Sequence, residues 1–494
     1  MTNEQAGRST GTRDAMTKQQ RLVLAIAVLA SFVAFLDGSV INVALPAISQ
    51  DLGGGLSIQQ WVVDAYLITL GALILVAGSL SDVFGRVVVL RWGLIGFAVT
   101  SLLCAVAPFG EFLVVARGLQ GIAGALLVPS SLAIILSSFR GAAQARAIGL
   151  WTAWTSAAFL TGPLIGGLFV DLLSWRLVFV INLLPIAVAL WLLAVLKQRD
   201  ARKEGVAIDY AGAVLGIVGL GGPVFALIEQ ANYGWASPTI YLPLVIGLLA
   251  LAAFLWREHT AKQPMMPLGL FRMRNFGMGN IATVAIYGAL SMGGLLVVVF
   301  LQQVGQYPAT LAGLAMLPVS ILNIALSPTF GSLAGKYGPR LFMTAGPIIG
   351  GIGYLMMTWI DQTANYWTQV LPGTIVFGLG LSITVAPLTA AILGSIDVSQ
   401  AGIGSAINNA VSRVAGLIAV AMLGIIVGAT LDVPGLHRGL VVTGVLLIVG
   451  GVISAFGIRN LPRDARVAGT AEPLRPAGAH PLLPEVPRPP APQR

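Results

Sequence analysis

GSLSDVFGR at 78–86 and GSLAGKYGPR at 331–340 are one turn written twice. Gly78, Leu80 and Gly85 align without a gap with Gly331, Leu333 and Gly338. Each stretch closes a long apolar run and opens the next on a short loop carrying basic residues. Glycine at these positions permits a tight helix–loop–helix turn. A chain that repeats such a turn at the same point of each half reads as a duplicated membrane bundle. Parallel repeats of this kind mark one large class of secondary transporter.

Composition identifies the solvent. Hydrophobic residues make up 56% of the 494, charged residues 10%, and the mean hydropathy is +0.88, far from the balance of an ordinary soluble domain. Runs of about 20 apolar residues, enough to cross a bilayer, recur fourteen times, from 22–45 to 439–458. The expected fold is therefore an all-α membrane bundle. All but four of the 28 Lys and Arg lie in the two tails and in alternate loops, as the positive-inside rule requires. The exceptions are Arg117, Arg176, Arg413 and Arg438. Both tails are thus expected in the cytoplasm, with the chain in the cell (inner) membrane. The net charge of +9 follows from this asymmetry and carries no nucleic-acid inference.

The organisation expected is a cytoplasmic tail at 1–21, a six-helix domain at 22–196, two linking helices and a connector at 197–276, a second six-helix domain at 277–458 and a disordered tail at 459–494. The connector at 259–275 reads as interfacial. Cys104 alone excludes an internal disulfide. The three histidines, His259, His437 and His480, are scattered, and no GxSxG, Walker A or HExxH pattern occurs. No enzyme, metal or cofactor is expected, and the energy source would be a proton gradient.

The charges inside spans carry the chemistry. Asp37 lies mid-way along FVAFLDGSVINVALP, where a carboxylate costs about 2.5–3.5 kcal/mol on insertion scales. Asp64 lies in span 2, Arg117 in span 4, and Arg413 mid-span 13 beside Asn408 and Asn409. Asp37 either exchanges a proton or forms a static pair with an arginine. Arg413 either binds an acidic partner or orders packing. Glu229 reads as a solvated span end. Asp82 and Arg86, with Gly78 and Gly85, could latch one conformation across the halves or merely anchor the loop. Gly162, Pro163, Gly166 and Gly167 form TGPLIGG, a bend that neighbours can approach closely, serving as a seal or as a kink without function. Gln120, Asn408, Asn409 and Arg413 are candidates for a cavity wall.

Together these residues resemble the major facilitator superfamily, and within it the fourteen-span drug:proton antiporters. LDGSVINVALPAI (36–48), GSLSDVFGR, LVVARGLQGIAGA (113–125), AFLTGPLIGG (158–167) and SWRLVFVINLLP (174–185) are similar to that family's motifs in order and spacing. The resemblance implies two six-helix halves around a central cavity, two extra helices, and alternating access driven by inward proton flow. It implies a proton-coupling set of Asp37, Asp64 and Arg117 and an interdomain seal at Gly162 and Pro163. Val83, Val87 and Val88 stand where the family's loop is usually basic, and Ala158 replaces a glycine. The expected substrate is a small hydrophobic compound, monocations included. A proton-independent metabolite facilitator and a non-transporting membrane sensor remain open on sequence grounds.

Overall fold

The computed structural model describes residues 16–196, 208–261, 264–397, 400–428 and 431–460. Most of both expected tails and the basic loop at 197–203 lie outside the described residues.

Among the described residues, fourteen helices are long and apolar enough to span a membrane: α1 (Lys18–Leu52), α2 (Gly55–Phe84), α3 (Arg86–Ala105), α4 (Gly110–Ser138), α5 (Gly141–Leu172), α6 (Leu177–Val195), α7 (Tyr210–Tyr233), α8 (Pro238–Thr260), α9 (Arg274–Gln303), α10 (Ala309–Tyr337), α11 (Pro339–Trp359), α12 (Tyr366–Leu393), α13 (Gly402–Val427) and α14 (Val433–Gly457). In hydrocarbon every backbone N–H and C=O must be satisfied within the segment, which favours helix throughout. Several spans outrun their apolar runs. α1 continues through Pro46 to Leu52, and α5 continues to Leu172, placing Asp171 inside the helix. The repeated turn has one geometry twice. Gly85 ends α2 at φ +99° and Gly338 ends α10 at φ +94°, a region where a side chain would be strained.

Within the first six spans, α1 packs on α4, α5 and α6, and α4 on α2 and α3. Within the last six, α9 packs on α13 and α14, and α12 on α10 and α11. The intervening α7 and α8 form a hairpin in which Gly222 and Gly247 bring the two backbones together. α7 lies over the seam between the two sets. Its Leu220, Val224 and Ile228 pack with Ile68 of α2 and with Leu417 and Ala421 of α13. Glu229 fastens it there, accepting from Ser57 Oγ (3.0 Å) and Trp61 Nε1 (2.7 Å) of α2. The solvated span end expected at Glu229 is instead a tether. The connector is likewise docked rather than free on the surface: Leu270 is buried with Phe276, Met343 and Ile392.

An even number of spans returns the chain to its starting side, so residues 16 and 460 share one end of the bundle, called here the terminus end. Two of the four basic residues outside the charge pattern are absorbed by local structure at the other end. Arg176 pairs with Asp51 (2.6 Å) and stacks on Trp175 (4.3 Å). Arg438 donates to the carbonyls of Ile426 and Val427, the last of α13, where a cation complements the helix dipole.

Candidate functional site

The first cluster sits inside the first six spans. Asp37 and Arg117 are each about 1% exposed and form an ion pair of 2.7 Å. The other carboxylate oxygen of Asp37 accepts from Gln120 Nε2 (3.2 Å) and Asn182 Nδ2 (3.0 Å). Arg117 also donates to Val62 O (2.9 Å) and to Gln120 Oε1, and its guanidinium lies 4.4 Å from the Tyr66 ring centre. Ser101 Oγ completes the network by accepting from Gln120 Nε2 (2.9 Å) and Asn182 Nδ2. Five spans therefore meet on one carboxylate and one guanidinium. Such a pair is hard to break singly, because the survivor is left charged and unpaired in a medium that punishes it. Gln120, expected at a cavity wall, is fully enclosed and belongs to this network. The arginine needs an acceptor at its flank, and Gln120, one turn along α4, is within reach.

Asn182 and Ser101 were not singled out from sequence. Asn182 is a lone polar residue in an apolar run, and Ser101 follows Thr100 in another. Asn182 falls where α6 is briefly interrupted, between the helical segments Leu177–Val180 and Leu183–Val195.

Asp64 presents the opposite situation. It is 0% exposed, and neither carboxyl oxygen has a hydrogen-bond partner among the described residues. It lies on the face of α2 turned towards α13. One turn before it, Gln60 Nε2 donates to Val420 O (2.7 Å) and Ala421 O (3.1 Å). One turn after it, Ile68 packs with Leu417. Gly71, two turns on, meets the Cβ of Arg413. Asp64 is thus buried in the seam between the two sets of six.

Arg413 is half-buried rather than buried, and no carboxylate pairs with it among the described residues. Asn408, expected beside it on a cavity wall, is committed elsewhere: its amide donates to Asn280 Oδ1 (3.1 Å) and Thr283 Oγ1 (3.0 Å), joining α13 to α9. Asn409 is exposed, one turn from Arg413 on the same face of α13.

The expected seal divides in two. Gly162 and Gly166 face α1, where a Cβ would strike Ser39 and Val40. They serve packing inside the first six spans. Pro163 and Gly167, one position further round the helix, face α10: Pro163 O lies 2.8 Å from a Cβ placed on Gly313, and Gly167 abuts the backbone of Thr310. Asp171, which the sequence analysis does not single out, completes this contact. Its carboxylate accepts from the N–H groups of Ala309 (2.8 Å) and Thr310 (2.9 Å) and from Thr310 Oγ1 (2.6 Å). An anion here caps the amino end of α10.

α5 and α10 therefore meet at 163–171 and 309–313, and part along the rest of α10, where between Leu317 and Tyr337 only Val319 and Ala334 are buried. This contact shuts α5 against α10 at the end opposite the termini, and the two helices part towards the terminus end. In this conformation Arg86 and Ser81 of the repeated loop bond within their own half. Arg86 donates to Ala133 O of α4 (3.0 Å), and Ser81 bonds Ser130 (2.9 Å). Asp82 is half-buried, and Gly78 faces open space.

The chain was compared with known proteins. A family model described as Major Facilitator Superfamily matches residues 27–207 and 196–420. Multidrug resistance protein Stp of Mycobacterium tuberculosis is 35% identical over 425 residues, covering 84% of this chain and 78% of its own. Methylenomycin A resistance protein of Bacillus subtilis is 33% identical over 82% of this chain and 87% of its own. Puromycin resistance protein pur8 of Streptomyces alboniger is 31% identical over 82% of each. Among solved structures, a peptide transporter POT crystallised with sulfate superposes with a TM-score of 0.65 over 90% of this chain and 95% of its own. At 14% identity that likeness speaks for the fold alone. The fourteen spans, the repeated glycine turn and these matches lead to one statement: the chain belongs to the major facilitator superfamily, beside members known for multidrug and antibiotic resistance.

Proposed function

We propose that this protein is a proton-coupled exporter, an antiporter that moves small hydrophobic compounds, monocations included, out across the inner membrane by alternating access. The observation that carries the reading is the buried Asp64, without a hydrogen-bond partner among the described residues, in a seam whose α5–α10 side is closed at one end and parted towards the other. A carboxylate there would forfeit its hydration with nothing in exchange, so the group is held neutral while the seam is closed. Opening the seam admits water and lets the proton leave. Proton exchange at Asp64 would then depend on which end of the bundle is open, the link that antiport requires.

Asp37 has a different part in this scheme. Its three donors, Arg117 of the ion pair among them, hold the first six spans as one body, and Arg117 supplies the fixed positive charge of that body. Arg413 and Asn409 offer polar groups to a ligand from the opposite side. The termini, in this reading, are cytoplasmic, so the splayed end receives substrate from the cell or the inner leaflet. The turn around Gly78, Asp82, Gly85 and Arg86 would close the terminus end in the alternate state, when the contact at Asp171 is released. The names of the relatives, all resistance or export proteins, support the direction of transport.

The test is transport of ethidium in everted vesicles energised by an imposed pH gradient. Accumulation that collapses when the gradient is dissipated supports antiport. Equal flux with and without the gradient would favour a facilitator.

A further inference from the structure

We propose that the first six spans carry a binding site for an anionic phospholipid in the leaflet on the terminus side. The site is a groove of about 550 Å³ between α1, α5 and α6. Its walls include Leu24, Val28 and Phe32 of α1, Leu150 and Trp154 of α5 and Val188 of α6, with Arg21 at one end. Apart from Arg21 no lining residue is charged.

Orientation, polarity and charge identify the occupant. The groove faces lipid rather than the transport pathway. Trp154 and Pro163 are nine residues apart, which at 100° per residue places them on opposite sides of α5, and Pro163 is on the side that meets α10. Leu150, Trp154 and Val188 are 39%, 54% and 40% exposed, so the walls are unfilled by protein.

The groove is also polarised along the membrane normal. Arg21 and the exposed Lys18, one turn earlier, head the α1 wall, and the exposed Arg146 heads the α5 wall one turn before Leu150. All three lie towards the terminus end, since α1 and α5 both start there. Phe32 and Val188 extend the groove away from that end with no polar group. Acyl chains against apolar walls and a phosphate at the cationic mouth satisfy both halves at once.

Finally, the charge selects among amphiphiles. A cationic drug would meet repulsion at the mouth, and a zwitterionic lipid gains less than a lipid with net negative charge. The inference rests on the chain spanning a membrane and is independent of the export reading.

Native mass spectrometry of the full chain in detergent, titrated with phosphatidylglycerol or with phosphatidylcholine of the same chain length, tests it. The native protein should retain phosphatidylglycerol in preference. Each cation near a membrane surface is worth about 1 kcal/mol, or about fivefold. Arg21→Gln should therefore weaken phosphatidylglycerol about fivefold, Arg21→Gln with Arg146→Gln more, and Arg21→Lys should restore it. Val28→Trp fills the groove while leaving the charges, and should displace both lipids. Equal retention of the two lipids by the native chain would overturn the proposal. So would a phosphatidylglycerol preference that survives the double substitution, or lipid binding that Val28→Trp leaves unchanged.

Discussion

Asp171 of α5 holds Thr310 of α10 twice, through the backbone N–H at 2.9 Å and the hydroxyl at 2.6 Å. With the bond from Ala309 (2.8 Å), one carboxylate joins the first set of spans to the second at the shut end. The contact exists only while that end is shut, so it biases the equilibrium between conformations.

Asp171→Ala should therefore open that end. The site is exposed, which limits the effect to about 1 kcal/mol, or about fivefold in population. Ala44 and Ala309 are buried in the closed state. Cysteine at either position should react faster with a membrane-impermeant maleimide in the Asp171→Ala background. Unchanged labelling would mean that the carboxylate merely caps α10.

Gly162 and Gly167 should behave differently although both stand in one motif. Gly162→Ala presses on Ser39 within the first six spans and should cost about 1–3 kcal/mol of overpacking, seen as a lower Tm. Gly167→Ala presses on the Thr310 backbone across the seam. It should leave Tm near native and raise labelling at Ala44→Cys. The reverse pattern would invert the assignment of the two faces.

Removing one member of the Asp37–Arg117 pair should destabilise strongly. Arg117→Ala or Asp37→Asn leaves a buried charge without its partner, a loss of about 3–5 kcal/mol. The double variant Asp37→Asn/Arg117→Gln should recover part of the Tm. Equal Tm values for single and double variants would show that the pair is not coupled.

Outside the spans, Asp209 gives a pH signature. A hydrogen bond from Arg257 holds its carboxyl below the usual range, against the opposing effect of burial, and the Gly212 N–H helps. A depressed carboxyl contributes stability above its unfolded pKa and loses it as pH falls through the folded value. Native protein should therefore be more heat-stable than Asp209→Asn at pH 7, with the gap closing below the ordinary carboxylate range. A gap that is constant with pH would remove the charge from the explanation.

The fold was legible because a bilayer leaves few options: twenty-residue apolar runs, basic loops on one side and a duplicated glycine turn suffice. Asp37, Arg117 and Gln120 were legible as polar groups where such groups are costly. The rest depended on three-dimensional proximity. Asn182 and Ser101 are single residues without a spacing that announces them. Asp171 lies beyond the apolar run of its span, because the helix continues past the point where hydropathy falls. The division of TGPLIGG between α1 and α10 needs the helix rotation, and the lack of any partner at Asp64 is a property of the packed seam.

Proton coupling in this scheme turns on Asp64. Asparagine there keeps shape and neutrality, so Asp64→Asn should fold with native Tm. The decisive measurement compares ethidium movement by this variant in proteoliposomes under two regimes. With no pH gradient, exchange of ethidium across the membrane should continue at close to the native rate, because the bundle still alternates. With an imposed gradient, net uphill movement should fall to background and lose its pH dependence. Gradient-driven accumulation at the native rate by Asp64→Asn would contradict the account and place proton exchange elsewhere.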